Sequence, residues 1–121
     1  LPAHPTYIGH ALLAQLSQNE FDRFMKETKL EALTPRTLTS RDALRTRLAE
    51  IRERGYALVS EELEIGVRSI AVAIPGRPAN ARLAINVSSQ AARVDEATVL
   101  AEHLPALRRA AAQIAMGGAA R

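Results

Sequence analysis

Two stretches of this chain, Arg68 to Ile74 and Arg82 to Ser88, alternate strictly between branched aliphatic side chains and small or polar ones. A period of two is the mark of a β-strand, whose successive side chains leave opposite faces. Between them, Pro75-Gly76-Arg77-Pro78-Ala79-Asn80 has the composition of a loop. The two strands therefore pair antiparallel. Setting Ile74 opposite Leu83 places Val72 beside Ile85 and Ile70 beside Val87, with Ala71 beside Asn86 and Ser69 beside Ser88.

The resulting sheet has two unlike faces. Ile70, Val72, Ile74, Leu83, Ile85 and Val87 make one wholly aliphatic, and it must pack under helices to leave water. Ser69, Ala71, Ala73, Ala84, Asn86 and Ser88 make the other. A solvent-facing sheet surface would carry Lys, Glu or Thr instead. Small residues bearing hydroxyl and amide groups suit a concavity in which a few fixed donors orient a ligand. The competing reading is that Ala71, Ala73 and Ala84 admit a close-packed helix, with Asn86 bonded to a neighbouring strand.

Around this pair the order is helices, three strands and a long helix, an α+β arrangement with an antiparallel sheet. Thr6 to Leu16 carries Ile8, Leu12, Leu13 and Leu16 at helical spacing, with His10 beside that stripe as a polar surface residue. Ser17 and Glu20 form a capping box for a second helix with Phe21, Phe24 and Met25 on its apolar face. Thr34-Pro35-Arg36-Thr37 reads as extended, because proline disfavours helix in the residue before it. Thr39 or Ser40 caps a third helix that buries Leu44, Leu48 and Ile51 and stops at Gly55. Tyr56 to Leu63 reads as a strand ending in Glu61-Glu62, and Gly66 breaks the chain after it. Asp95 caps a last helix running to about Met116, bent at Pro105 and stopped by Gly117-Gly118. Three strands close no core, so further strands or another subunit are expected to complete the sheet.

Composition narrows the chemistry. The 121 residues suit one domain, and the absence of cysteine excludes disulfides, thiolate metal sites and cysteine nucleophiles. No apolar run approaches the roughly 18–20 residues that cross a bilayer, so no membrane contact and a cytoplasmic location are expected. The 16 basic and 13 acidic residues leave a net charge of +3. Arg41, Arg45, Arg47, Arg52 and Arg54 share a segment with Asp42, Glu50 and Glu53, which reads as a solvated helix face and not a phosphate-tracking stripe. Aromatic residues, at 3%, form no base-stacking platform. His4, His10 and His103 lack metal-ligand spacing, and no serine sits in a nucleophile elbow, so no metal or cofactor is expected. Glu61 and Glu62, as neighbours in a strand, would face opposite ways and so pair with arginine or cap a helix. Two alternatives to ligand sensing stay open. A small enzyme would need a titratable group on the small face, which offers none. An oligomerisation module would place a partner's helix there.

Leu1-Pro2-Ala3-His4-Pro5-Thr6, with Gly9 and Ala11-Leu12-Leu13-Ala14, resembles the L-P-x-H-x-T/S-x-x-G-K-A-x-L-A stretch of the IclR family of bacterial transcriptional regulators. The resemblance continues through Thr34-Pro35-Arg36-Thr37-Leu38, through Leu44, Leu48, Ile51-Arg52 and Gly55-Tyr56-Ala57, and through Glu61-Glu62 and Gly66-Val67-Arg68-Ser69-Ile70-Ala71. It ends with Ala84-Ile85-Asn86-Val87-Ser88 and Arg93-Val94. The strand blocks look most like the branch that regulates aromatic acid breakdown through protocatechuate and the β-ketoadipate pathway. His10 departs from the family pattern, which has lysine there.

The resemblance implies a GAF-like antiparallel sheet flanked by helices and truncated at its N-terminal side. On that reading residues 1–121 are the C-terminal part of an effector-binding domain, and the start at Leu1 reflects a piece of a longer protein. The DNA-binding winged helix-turn-helix would then lie outside this chain, and DNA would be reached only through it. Ligand contacts are implied at the positions matching Tyr7, Ile8, Ser60, Ser69, Asn86 and Ser88, and Ala71 completes the candidate set on the small face. Tyr7 and Ile8 would form the apolar wall. The serines and Asn86 would bond an aromatic or aliphatic carboxylate, while alternation points Arg68 away. The implied partners are a small-molecule effector and further copies of the chain in a dimer or tetramer.

Overall fold

The computed structural model describes residues 10–11, 13–27, 30, 32, 34–62, 64–77 and 82–120. After helical residues at 10, 11 and 13 come helices α1 (Gln18–Glu27) and α2 (Arg41–Arg54). Strands β1 (Ala57–Ser60), β2 (Val67–Ala73) and β3 (Ala84–Gln90) follow. A short α3 (Glu96–Thr98), a π-helical stretch (Val99–His103) and α4 (Leu104–Ala120) complete the order.

The helix ends follow their local chemistry. The Ser17 amide donates to Glu20 Oε1 at 2.9 Å and the Glu20 amide to Ser17 Oγ at 3.2 Å, the reciprocal box that opens α1. Ser40 is the N-cap of α2, accepting from the Ala43 amide, and Gly55 closes that helix at φ +82°. A left-handed residue there satisfies orphan carbonyls at little steric cost only when it lacks a Cβ. The Asp95 carboxylate accepts from the Thr98 amide at 2.8 Å and starts the last helical run.

The three strands form one antiparallel sheet in the order β1-β2-β3. Its β2–β3 register pairs Ser69 with Ser88, Ile70 with Val87, Ala71 with Asn86 and Val72 with Ile85, as alternation predicts. Helices cover both faces. Ile70, Val72 and Ile74 are buried with Val99, Leu104, Leu107 and Ala111 on one side. On the other, Ala57 and Ala71 join a core of Ala11, Leu13, Ala14, Phe21, Met25, Leu44, Leu48 and Ile51.

Several local expectations need correction. Residues 34–37 form a turn, closed by the Thr37 amide on the Thr34 carbonyl at 3.2 Å, and are not extended. Both threonine hydroxyls donate across to the Glu61 and Glu62 carbonyls, which fixes the turn against the end of β1. β1 stops at Ser60 because Glu61 adopts φ +60°. Its carboxylate Oε1 accepts the Gly66 amide at 3.0 Å, so the β1–β2 turn folds back on Glu61. Leu63, placed in this strand by the sequence pattern, lies outside the described residues. His10 is fully buried, not a surface residue. Before Pro105 the helix widens into the π-helical stretch, which accommodates a residue with no amide hydrogen. Helix α4 also runs through Gly117-Gly118 to Ala120, since glycine permits helix without compelling an end.

Candidate ligand-binding site

The small face divides into two parts. At one end Ala57 and Ala71 are fully buried under the helical turn and α2, so close helix packing explains the alanines there. A cavity of about 260 Å³ remains beside them, lined by Ala11, Ala14, Ile51, Gly55, Ala71 and Ala73 among others. At the other end stands a hydrogen-bonded row. Ser69 Oγ and Ser88 Oγ are 2.7 Å apart, and Asn86 Nδ2 donates to Ser88 Oγ at 3.3 Å. Asn86 thus bonds along its own strand, not to a neighbouring one. The two parts adjoin, because Ala71 of the cavity is the register partner of Asn86.

The row is graded in exposure. Ser69 is 1% exposed, Asn86 is partly buried and Ser88 is exposed. A hydroxyl both donates and accepts and an amide offers two donors and an acceptor, so the row can satisfy a carboxylate or a ring hydroxyl. An apolar group would lie over the alanines. Of the ionisable side chains, Arg52 lines the cavity and donates to the Ala14 and Leu16 carbonyls, while Arg68 faces away, its guanidinium spent on Ser60 Oγ and on the Ala91 and Val94 carbonyls. Among the described residues no group of His, Asp and Glu could hold a metal ion.

The sequence-derived set is only partly brought together. Ser69, Ala71, Asn86 and Ser88 share the small face by register. Ser60 does not, and its expected place must be corrected. Its partner is Arg68, so it lies on the opposite face, with its hydroxyl donating to Glu96 Oε2 at 3.3 Å. Val59 takes the matching place on the small face instead, opposite Ser69 and 2% exposed. The premature end of β1 hides this, because nothing in the residue pattern fixes the β1–β2 register. Tyr7 and Ile8 lie outside the described residues.

The acidic corner at the end of β1 is committed to arginines, as expected from its sequence. Arg36 pairs with Glu61 at 3.1 Å and Arg47 with Glu62 at 2.9 Å. Burial pushes the Glu62 carboxyl above its ordinary range, against the opposing pull of Arg47.

Comparison with known proteins agrees with this architecture. The family model described as bacterial transcriptional regulator IclR C-terminal matches residues 1–116. The transcriptional regulator XynR of Escherichia coli is 42% identical over 97 residues, covering 80% of this chain and 38% of that protein. The Pca operon regulatory protein of Acinetobacter baylyi is 33% identical over 114 residues, covering 94% of this chain and 41% of that protein, in agreement with the resemblance to the aromatic-acid branch. A solved double mutant of the PobR inducer-binding domain from Acinetobacter, in complex with 3-hydroxybenzoic acid, superposes with a TM-score of 0.86 at 33% identity. That match covers 95% of this chain and 68% of the solved one. These relatives are named as regulators of transcription and not as enzymes, and the chain spans about two fifths of the length of the two curated ones, 38% and 41%. No helix among the described residues is long and apolar enough to cross a membrane. With a family model matching residues 1–116 and relatives at 33–42% identity, the chain, an antiparallel sheet with helices on both faces, belongs to the IclR C-terminal family of bacterial transcriptional regulators.

Proposed function

We propose that this domain senses a small organic acid on the small face of its sheet, with Ser69, Asn86 and Ser88 as the polar contacts. The observation that carries the reading is the hydrogen-bonded row of those three residues beside an alanine-lined cavity. A hydroxybenzoate combines the two requirements, an apolar ring for the alanines and oxygens for the row. The complex of the PobR domain with 3-hydroxybenzoic acid supports that class of ligand. Tyr7 and Ile8 would wall the site from the preceding segment. Val59 would set its width opposite Ser69.

Binding would stabilise one arrangement of the domain and so bias DNA binding by a part of the protein outside residues 1–121. In this proposal the regulator is cytoplasmic and homo-oligomeric, and residues 1–121 are the C-terminal part of its effector domain. A thermal-shift panel of aromatic and aliphatic acids on the whole regulator tests the reading. A concentration-dependent rise in melting temperature with hydroxybenzoates supports it. Silence across the panel counts against it.

A further inference from the structure

The proposed acid site is polar on one side only. Its hydrogen-bonding groups, Ser69, Asn86 and Ser88, gather around the Ser69–Ser88 rung of the β2–β3 ladder. Asn86 lies opposite Ala71, and Ala73 follows two residues further along β2, opposite Ala84. Two residues of strand span roughly 6.6 Å, enough to carry a ring from the row into the cavity.

Past Ala71 the surroundings turn to carbon. Ala11, Ala14, Ile51 and Ala73 line the cavity of about 260 Å³ there. The polar side chains that border it have partners of their own. Gln15 Nε2 donates to the Ala11 carbonyl at 3.3 Å, and Arg52 Nε to the Ala14 carbonyl at 2.6 Å. Tyr56 is held by Arg54, whose guanidinium stands 5.6 Å from its ring centre and interacts with its hydroxyl. The Gly55 amide is closed on the Ile51 carbonyl at 2.7 Å.

We propose that the site selects benzoates by substituent position, favouring a hydroxyl meta to the carboxylate over one para to it; this rests on the reading of the small face as an acid sensor. In the meta isomer both oxygen groups leave one side of the ring. Both then reach the row, while the bare side enters the cavity. In the para isomer the two groups leave opposite ends. With the carboxylate on the row, the para hydroxyl is buried among Ile51, Ala73 and Ala11 and loses its water without gaining a partner. A methyl group in the same position gains from the same walls.

Calorimetric titration of the whole regulator with 3-hydroxybenzoate, 4-hydroxybenzoate and 4-methylbenzoate tests the proposal. The 4-hydroxy isomer should bind roughly tenfold or more weakly than the 3-hydroxy isomer. The 4-methyl compound should bind more tightly than the 4-hydroxy one. Ala73→Ser places a hydroxyl at the carbon-lined end and should recover much of the 4-hydroxybenzoate affinity while changing the 3-hydroxy isomer little. If 4-hydroxybenzoate binds as tightly as its 3-isomer, or more tightly than 4-methylbenzoate, the selection is overturned and the sensing reading stands. Binding by none of the three would overturn both.

Discussion

Ser69 and Ser88 face each other across the β2–β3 ladder with their hydroxyl oxygens 2.7 Å apart, one buried and the other open to solvent. Asn86 donates into the exposed member of the pair. Polarity is thereby carried from the interior of the sheet to its surface by one hydrogen bond of 2.7 Å and a longer one of 3.3 Å. Such chains strengthen one another where water is excluded.

Removing this polarity should cost ligand affinity and leave the fold intact. Asn86→Leu fills the space over Ala71 and deletes the amide. Ser69→Val replaces a hydroxyl by a methyl group at nearly constant volume. Leaving ligand oxygens unpaired is worth about 1–3 kcal/mol, so calorimetric titration with a bound acid should show a loss of roughly 5–150-fold in each variant. Unchanged affinity in both would remove the row from the site.

The aliphatic face should behave in the opposite way. Ile70 is fully buried against the α4 layer, and Ile70→Ala should lower unfolding free energy by about 2–5 kcal/mol through the cavity it leaves. Ile85, only partly buried, should cost less on the same change. Urea denaturation of the two variants gives the comparison, and equal losses would argue against this packing.

Gly55→Ala tests the turn from α2 into β1. The added Cβ would meet only Arg108 Nη2 at 3.8 Å, an ordinary contact, so space is available. The strain lies in φ +82°, which costs an L-residue about 1–2 kcal/mol. A stability loss of that size, measured by chemical denaturation, is expected. No loss would mean that the helix ends differently in solution.

Glu62 should give the fold a distinctive pH dependence. Its carboxyl is raised above the ordinary value of 4.5 chiefly by burial, so the folded protein holds that proton more tightly than the unfolded chain. The stabilisation is complete below pH 4.5 and is lost as pH rises through the elevated folded value. Glu62→Gln should therefore be most costly in acid and least costly at neutral pH. Denaturation of both proteins across that interval measures the gap, and the reverse trend would show that attraction to Arg47 outweighs desolvation.

Much of this fold could be read from residue order alone, where one local rule decides. Alternation sets the β2–β3 register, and Ser17, Ser40, Gly55 and Asp95 end their helices through bonds to nearby amides and carbonyls. The misreadings fall where distant contacts decide. His10 is buried by packing that its own helical turn does not determine. The Thr34–Thr37 turn is held by carbonyls 27 and 25 residues away. Ser60 changes face because β1 registers on β2 through a tight turn at Glu61, a non-glycine residue in left-handed conformation. The polar row on the small face was legible because it depends only on alternation. Helix packing over Ala71 was one of the two readings that alternation left open, because the choice between them depends on which helices arrive.

The most direct test of the account is an amide chemical-shift titration of the chain with 3-hydroxybenzoate, read residue by residue. The account predicts saturable shifts centred on Ser69, Ala71, Asn86 and Ser88, abolished or greatly weakened by Asn86→Leu, with Leu58 and Ser60 undisturbed. Saturable binding whose shifts spare the small face, or survive Asn86→Leu unchanged, would contradict it.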